Sequence, residues 1–173
     1  MKNYILTGCP GSGKSSILLY LEIVNGEHIV REAAEDYIRL RQAQGVKQPW
    51  TEPDFQLNIL AIQVKRNAKI PANAPRVFID RGYEDGRAYS DDKTLLERIS
   101  QAAQGKMYDQ VFLVENLGST ETNGVRQENH EEALRLEKRV EEIYQGLGYQ
   151  PVRIPAGPVE ERARRIMECL REE

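Results

Sequence analysis

Apolar residues along this chain come in two textures. Short, nearly unbroken runs stand at Lys2–Thr7 (KNYILT), Arg76–Asp80 (RVFID) and 111–115 (VFLVE), and each predicts a strand buried on both faces of a parallel sheet. Weaker runs at 27–32 and 150–155 predict two further strands, the last at a sheet edge because Pro151 lacks a donor. The intervening stretches follow helical spacing. The segment running out of Gly13 through 16–21 reads as a helix, and Ala34, Tyr37, Ile38 and Arg41 mark another over 33–44, stopped by Gly45. Thr51 as cap, an acid three residues on and Pro53 in the first turn predict a helix over 51–69. Its Phe55, Ile59 and Ile62 share one face, while Gln56, Gln63, Lys65 and Arg66 lie elsewhere. Leu95, Leu96, Ile99 and Ala103 predict a helix over 91–104. Leu136, Val140, Ile143 and Leu147 mark one after a polar loop at 116–129, and Val159, Ala163, Ile166 and Leu170 mark the last. Strand alternating with helix five times over is an α/β pattern: a parallel five-stranded sheet flanked by helices, in three layers.

Composition narrows the picture. A chain of 173 residues, 40% hydrophobic, holds one core, so 1–173 is expected to be a single domain. Its 24 basic and 27 acidic residues leave a net charge of −3, with no general pull toward nucleic acid. No basic stripe interleaved with aromatics is present, which argues against a nucleic-acid substrate. Peripheral lipid binding stays open through local patches. There is no leader of the signal-peptide type and no apolar run long enough to span a bilayer, so the expected location is cytoplasmic. Two cysteines, Cys9 and Cys169, fit neither a disulfide framework nor a zinc site.

The chemistry concentrates at 8–15, Gly8-Cys9-Pro10-Gly11-Ser12-Gly13-Lys14-Ser15, a GxxxxGKS loop between a predicted strand and a predicted helix. Glycines at 8, 11 and 13 permit positive φ and close approach of an anion, so successive N–H groups can face phosphate oxygens. The helix dipole adds positive potential, Lys14 reaches the β and γ phosphates, and the Ser15 hydroxyl joins Mg²⁺. Ser16 sits in the first helical turn, near the α phosphate. Asp80 ends a buried strand, the placement of an acid that holds Mg²⁺. Arg81 follows it, a residue type suited to gripping substrate or phosphate. Glu32 and Arg31 close the second strand on the same rim as the loop, and Glu32 is a candidate base for an acceptor hydroxyl, against a plain role as first-turn charge. The loop at 116–129 reads as a lid that brings Arg126 over bound phosphates. Trp50 either stacks on a planar substrate or anchors its loop, and the Ala156-Gly157 backbone lies where a nucleotide base would rest.

With the phosphate loop, Arg31-Glu32-Ala33-Ala34, Phe55-Gln56-Leu57, Asp80-Arg81-Gly82, Gly124-Val125-Arg126 and the closing stretch 154–162 (IPAGPVEER) in order, the chain resembles a known family over nearly its full length. It looks like the small P-loop proteins related to the nicotinamide riboside kinase domain, grouped as AAA-like ATPases or kinases. The resemblance implies a nucleoside/nucleotide-kinase-like fold, ATP or GTP with Mg²⁺, and phosphoryl transfer to a small-molecule acceptor. It leaves the acceptor open. Some similar proteins are described as GTP- and phosphoinositide-binding factors, which implies the alternative of a regulatory switch with a protein or phosphoinositide partner. The helical domain and sensor arginines of ring-forming motors have no counterpart in the sequence, so the expected state is a monomer or small homo-oligomer without a ring.

Overall fold

In the computed structural model, which describes residues 1–118 and 130–171, five strands form one sheet. They are β1 (Lys2–Thr7), β2 (His28–Val30), β3 (Arg76–Asp80), β4 (Gln110–Val114) and β5 (Val152–Ile154), all parallel, in the order β2-β3-β1-β4-β5. Six helices connect or follow them: α1 (Lys14–Asn25), α2 (Ala33–Ala43), α3 (Phe55–Asn67), α4 (Lys93–Ala103), α5 (His130–Gly146) and α6 (Val159–Cys169). Short 3₁₀ turns lie at Pro49–Thr51 and Tyr83–Ala88.

Alternation along β1 sorts the core into two sides. Tyr4 and Leu6 point with Phe78, Phe112 and Ile154 against α1 and α6. Ile5 points the other way with Val77, Ile79, Val111 and Leu113, against Val140 and Tyr144 of α5. Both faces are covered, which is why the central strands read as continuous apolar runs. A third cluster, Leu60, Tyr83, Leu95 and Ile99, joins α3, the second 3₁₀ turn and α4 beside the sheet.

The helix expected over 51–69 divides. Pro53 forces the residue before it out of the helical region, and Glu52 is extended at φ −69° and ψ 136°, so α3 begins only at Phe55. Thr51 consequently caps no helix; its hydroxyl donates to the Gln48 carbonyl at 2.8 Å. The predicted start at 91 moves to Lys93, because the Asp92 carboxylate accepts from Leu95 N at 2.8 Å and is the N-cap. The strand expected at 27–32 is only three residues long, leaving Arg31 and Glu32 beyond its end. Gln63, placed by periodicity away from the core, is buried, and Leu147, placed on the apolar face of α5, is 48% exposed. The fully buried residues of α5 are Ala133, Glu137, Val140 and Tyr144, and the predicted Leu136 and Ile143 are partly buried against the same cluster.

Candidate active site

β1 and β3 pair in register so that Leu6 lies beside Asp80, which brings the acid to the point where the phosphate loop leaves the sheet. Gly8, Gly11 and Gly13 adopt φ of +133°, +81° and +86°, the left-handed region that side chains avoid. Lys14 is 4% exposed and its ammonium donates within the loop, to the carbonyls of Cys9 at 2.9 Å and Gly8 at 3.2 Å and to Ser12 Oγ at 3.3 Å. Burial, and after it the Arg81 charge, pull the Lys14 pKa below its ordinary value.

Ser15 Oγ donates to Asp80 Oδ2 at 2.9 Å, while the buried Asp80 Oδ1 has no hydrogen-bond partner among the described residues. A hydroxyl and a carboxylate side by side, with one carboxylate oxygen unused, are hard oxygen donors that fit Mg²⁺ shared with phosphate and water. Burial, with Glu32 second, pushes the Asp80 carboxyl up to about 7. A carboxyl whose folded pKa exceeds its unfolded one stabilises the fold fully below the unfolded value and loses that contribution as pH rises to the folded one. Asp80→Asn is therefore expected to raise the melting temperature of the ligand-free protein at pH 8 by about 5 °C and to gain much less at pH 5. Thermal scans at the two pH values check this, and an equal gain at both would contradict it.

Glu32, at the N-cap position of α2, faces Arg81 with Oε1 to Nε at 2.9 Å. Arg81 is the only non-glycine residue with positive φ among the described residues, at +69°. Its backbone is held from both sides: its N–H donates to the Leu6 carbonyl at 3.0 Å, and its carbonyl accepts from Gln63 Nε2. Its guanidinium donates to the Tyr89 hydroxyl and lies over the Tyr89 ring. Burial opposes that charge, but Glu32 and other acidic neighbours more than offset it, and the pKa is raised. Two residues singled out separately in the sequence are thus one ion pair.

Beneath the pair lies a network that sequence reading missed. The buried Asp85 carboxylate accepts from Thr7 Oγ1, from the Tyr144 hydroxyl at 2.6 Å and from Gly82 N at 2.9 Å. Gly82 has an ordinary φ; glycine is required there for space, because a Cβ would meet the Tyr144 and Tyr108 hydroxyls. The signal in the sequence was the Gly82–Asp85 spacing, where an acid three residues on returns to the backbone N–H.

A cavity of about 670 Å³ runs from Gly13, Lys14 and Ser15 past Glu32 and Arg81 to a wall that includes Trp50. Pro10, Gly11 and Ser16 also line it; Trp50 is half-buried there, and the Gln56 side chain borders the same space. Arg31 stays outside, offering its carbonyl to Arg66 at 2.9 Å. Cys9 is buried against Glu137. Ala156 and Gly157 are exposed on the rim past β5 and do not line the cavity. Arg126 and most of the expected lid lie outside the described residues.

A family model described as an AAA domain matches residues 3–162. The chain belongs to this AAA domain family. Among curated proteins none matches it. Among solved structures the AAA domain is similar to the NadR protein in complex with NAD and AMP-PNP, with TM-score 0.75 and 16% identity over 99% of this chain and 49% of that one. It therefore spans about half the length of NadR. It is also similar to deoxyadenosine kinase from M. mycoides with bound dATP, with TM-score 0.67, 17% identity and 99% and 100% of the two chains covered. Thymidylate kinase from Ehrlichia chaffeensis gives TM-score 0.63 and 17% identity over 98% of each chain. At these identities the likeness shows the fold: the parallel sheet and flanking helices are arranged as in these structures. No helix among the described residues is long and apolar enough to cross a membrane.

Proposed function

We propose that residues 1–173 act as one catalytic unit that transfers the γ-phosphoryl group of ATP or GTP, with Mg²⁺, to a hydroxyl of a small molecule. The observation that carries this reading is the continuity of the cavity from the phosphate loop to the Glu32–Arg81 pair and beyond. A nucleotide held only for hydrolysis needs no such space past the γ phosphate. The loop amides and Lys14 hold the phosphates, and Ser15 and Asp80 hold Mg²⁺, which when bound neutralises phosphate charge. Glu32 orients the acceptor hydroxyl and takes its proton, and Arg81 fixes both Glu32 and substrate. Phosphoryl transfer asks little more of a protein than this positioning and charge stabilisation. The likeness to structures crystallised with AMP-PNP and dATP supports nucleotide use. We read the unit as a cytoplasmic monomer or small homo-oligomer without a ring.

The test is nucleotide consumption by purified protein with Mg²⁺ and ATP or GTP, against a panel of nucleosides, pyridine ribosides and other small alcohols. A jump with one acceptor, and recovery of that acceptor carrying the γ phosphate, is the expected outcome. Slow phosphate release that no acceptor changes would replace this reading with a nucleotide-gated switch.

A further inference from the structure

Arg162 is 4% exposed, yet among the described residues no carboxylate pairs with it. Its guanidinium is spent on backbone instead: Nη1 donates to the Ser12 carbonyl at 2.7 Å, Nη2 to the Glu115 carbonyl at 3.2 Å, and buried Nε has no hydrogen-bond partner among the described residues. The Glu115 carboxylate turns away to Arg153, at 3.1 Å. Arg162 also stands in the first turns of α6, after Glu160 and Glu161, where the helix dipole favours acids and disfavours a cation. Nothing about α6 alone asks for arginine there.

The reason lies in the loop it touches. In a trans peptide the carbonyl of one residue and the N–H of the next point in opposite directions, and the described chain has no cis bond. Drawing the Ser12 carbonyl toward Arg162 turns the Gly13 N–H the other way, away from Arg162, and Gly13 lines the cavity. That N–H has no acceptor among the described residues. The fit is close: a Cβ on Gly13 would come within 2.9 Å of Arg162 Nη1. Burial, partly offset by the Glu115 charge, lowers the Arg162 pKa.

We infer that Arg162 is a positioning residue for polyphosphate: it clamps the Ser12 peptide so that the phosphate loop presents its N–H groups, and the bound phosphate charge completes the neutralisation of this buried cation. The inference rests on the nucleotide-binding reading above. It assigns a role to the closing stretch 154–162, and ties the phosphate loop to Glu115, where the chain leaves β4.

The experiment is calorimetric titration of wild type, Arg162→Gln and Arg162→Lys with adenosine, AMP, ATP and tripolyphosphate, with melting temperatures measured alongside. For Arg162→Gln the expected loss in ATP and tripolyphosphate affinity is about ten- to a hundredfold, shrinking stepwise to none with adenosine. Arg162→Lys, which keeps the charge but replaces the planar guanidinium fork with a single nitrogen on a shorter reach, is expected to recover part of it. ATP affinity unchanged in both variants, or a loss equal for adenosine and ATP, would overturn the inference. If Arg162→Gln does not fold, Arg162→Lys decides: a loss graded by phosphate number supports the clamp, and unchanged or ungraded affinities overturn it. Wild type that binds neither ATP nor tripolyphosphate would instead defeat the nucleotide-binding reading itself.

Discussion

Lys14→Ala is expected to cut nucleotide turnover by about a thousandfold or more while leaving the protein folded, since the electrostatic stabilisation it removes is of that order. The ammonium is buried in the loop it serves, on the carbonyls of Gly8 and Cys9. Those contacts hold it at the end of the cavity where phosphates would lie, and arriving oxygens compete for the same donors. The lowered pKa, caused first by burial and then by Arg81, means that the charge is costly until an anion meets it. Losing a costly charge and three hydrogen bonds together has opposing effects on stability, so the melting temperature is expected to stay within a few degrees of wild type. Turnover above a tenth of wild type in folded Lys14→Ala would remove the phosphate loop from the mechanism.

That prediction was available from the sequence because its warrant is local. A strand, eight consecutive residues with glycines at three of them, and a helix define the phosphate loop without reference to anything distant. Asp80 was legible for a similar reason: a carboxylate closing a buried run has only the rim to occupy. The Glu32–Arg81 pair was legible as two residues and not as one, because which rim residues touch depends on how α2 and the turn after β3 pack. Gln63 was hidden more thoroughly. It sits at a polar position by period, and it is buried because the Arg81 carbonyl, in a strained turn, needs a donor from α3. The 3₁₀ turn at Tyr83–Ala88 carried no apolar period, and Asp85 acquired its importance from Thr7 and Tyr144, one on β1 and one on α5. Arg162 stands inside the closing 154–162 stretch, but its task is set by a carbonyl across the fold.

Glu32→Gln is expected to leave nucleotide affinity unchanged and to lower phosphoryl transfer about a hundredfold, the usual scale of a lost general base. Because Glu32 also holds Arg81 at 2.9 Å, a slower variant alone does not identify the base. Arg81→Gln and the double variant separate the two roles. If Glu32 serves only to hold Arg81, the two single variants lose the same rate and the double loses no more. If Glu32 also takes the proton, Glu32→Gln is slower than Arg81→Gln and the double variant is no faster than Glu32→Gln. The pair is partly buried, with side-chain exposures of 19% and 11%, so breaking it also leaves an uncompensated charge. Both single variants should therefore melt earlier than wild type, and their rates must be compared below those temperatures. A parallel loss of nucleotide binding and transfer in Glu32→Gln would place Glu32 in the architecture of the loop rim, leaving the acceptor's proton to another group.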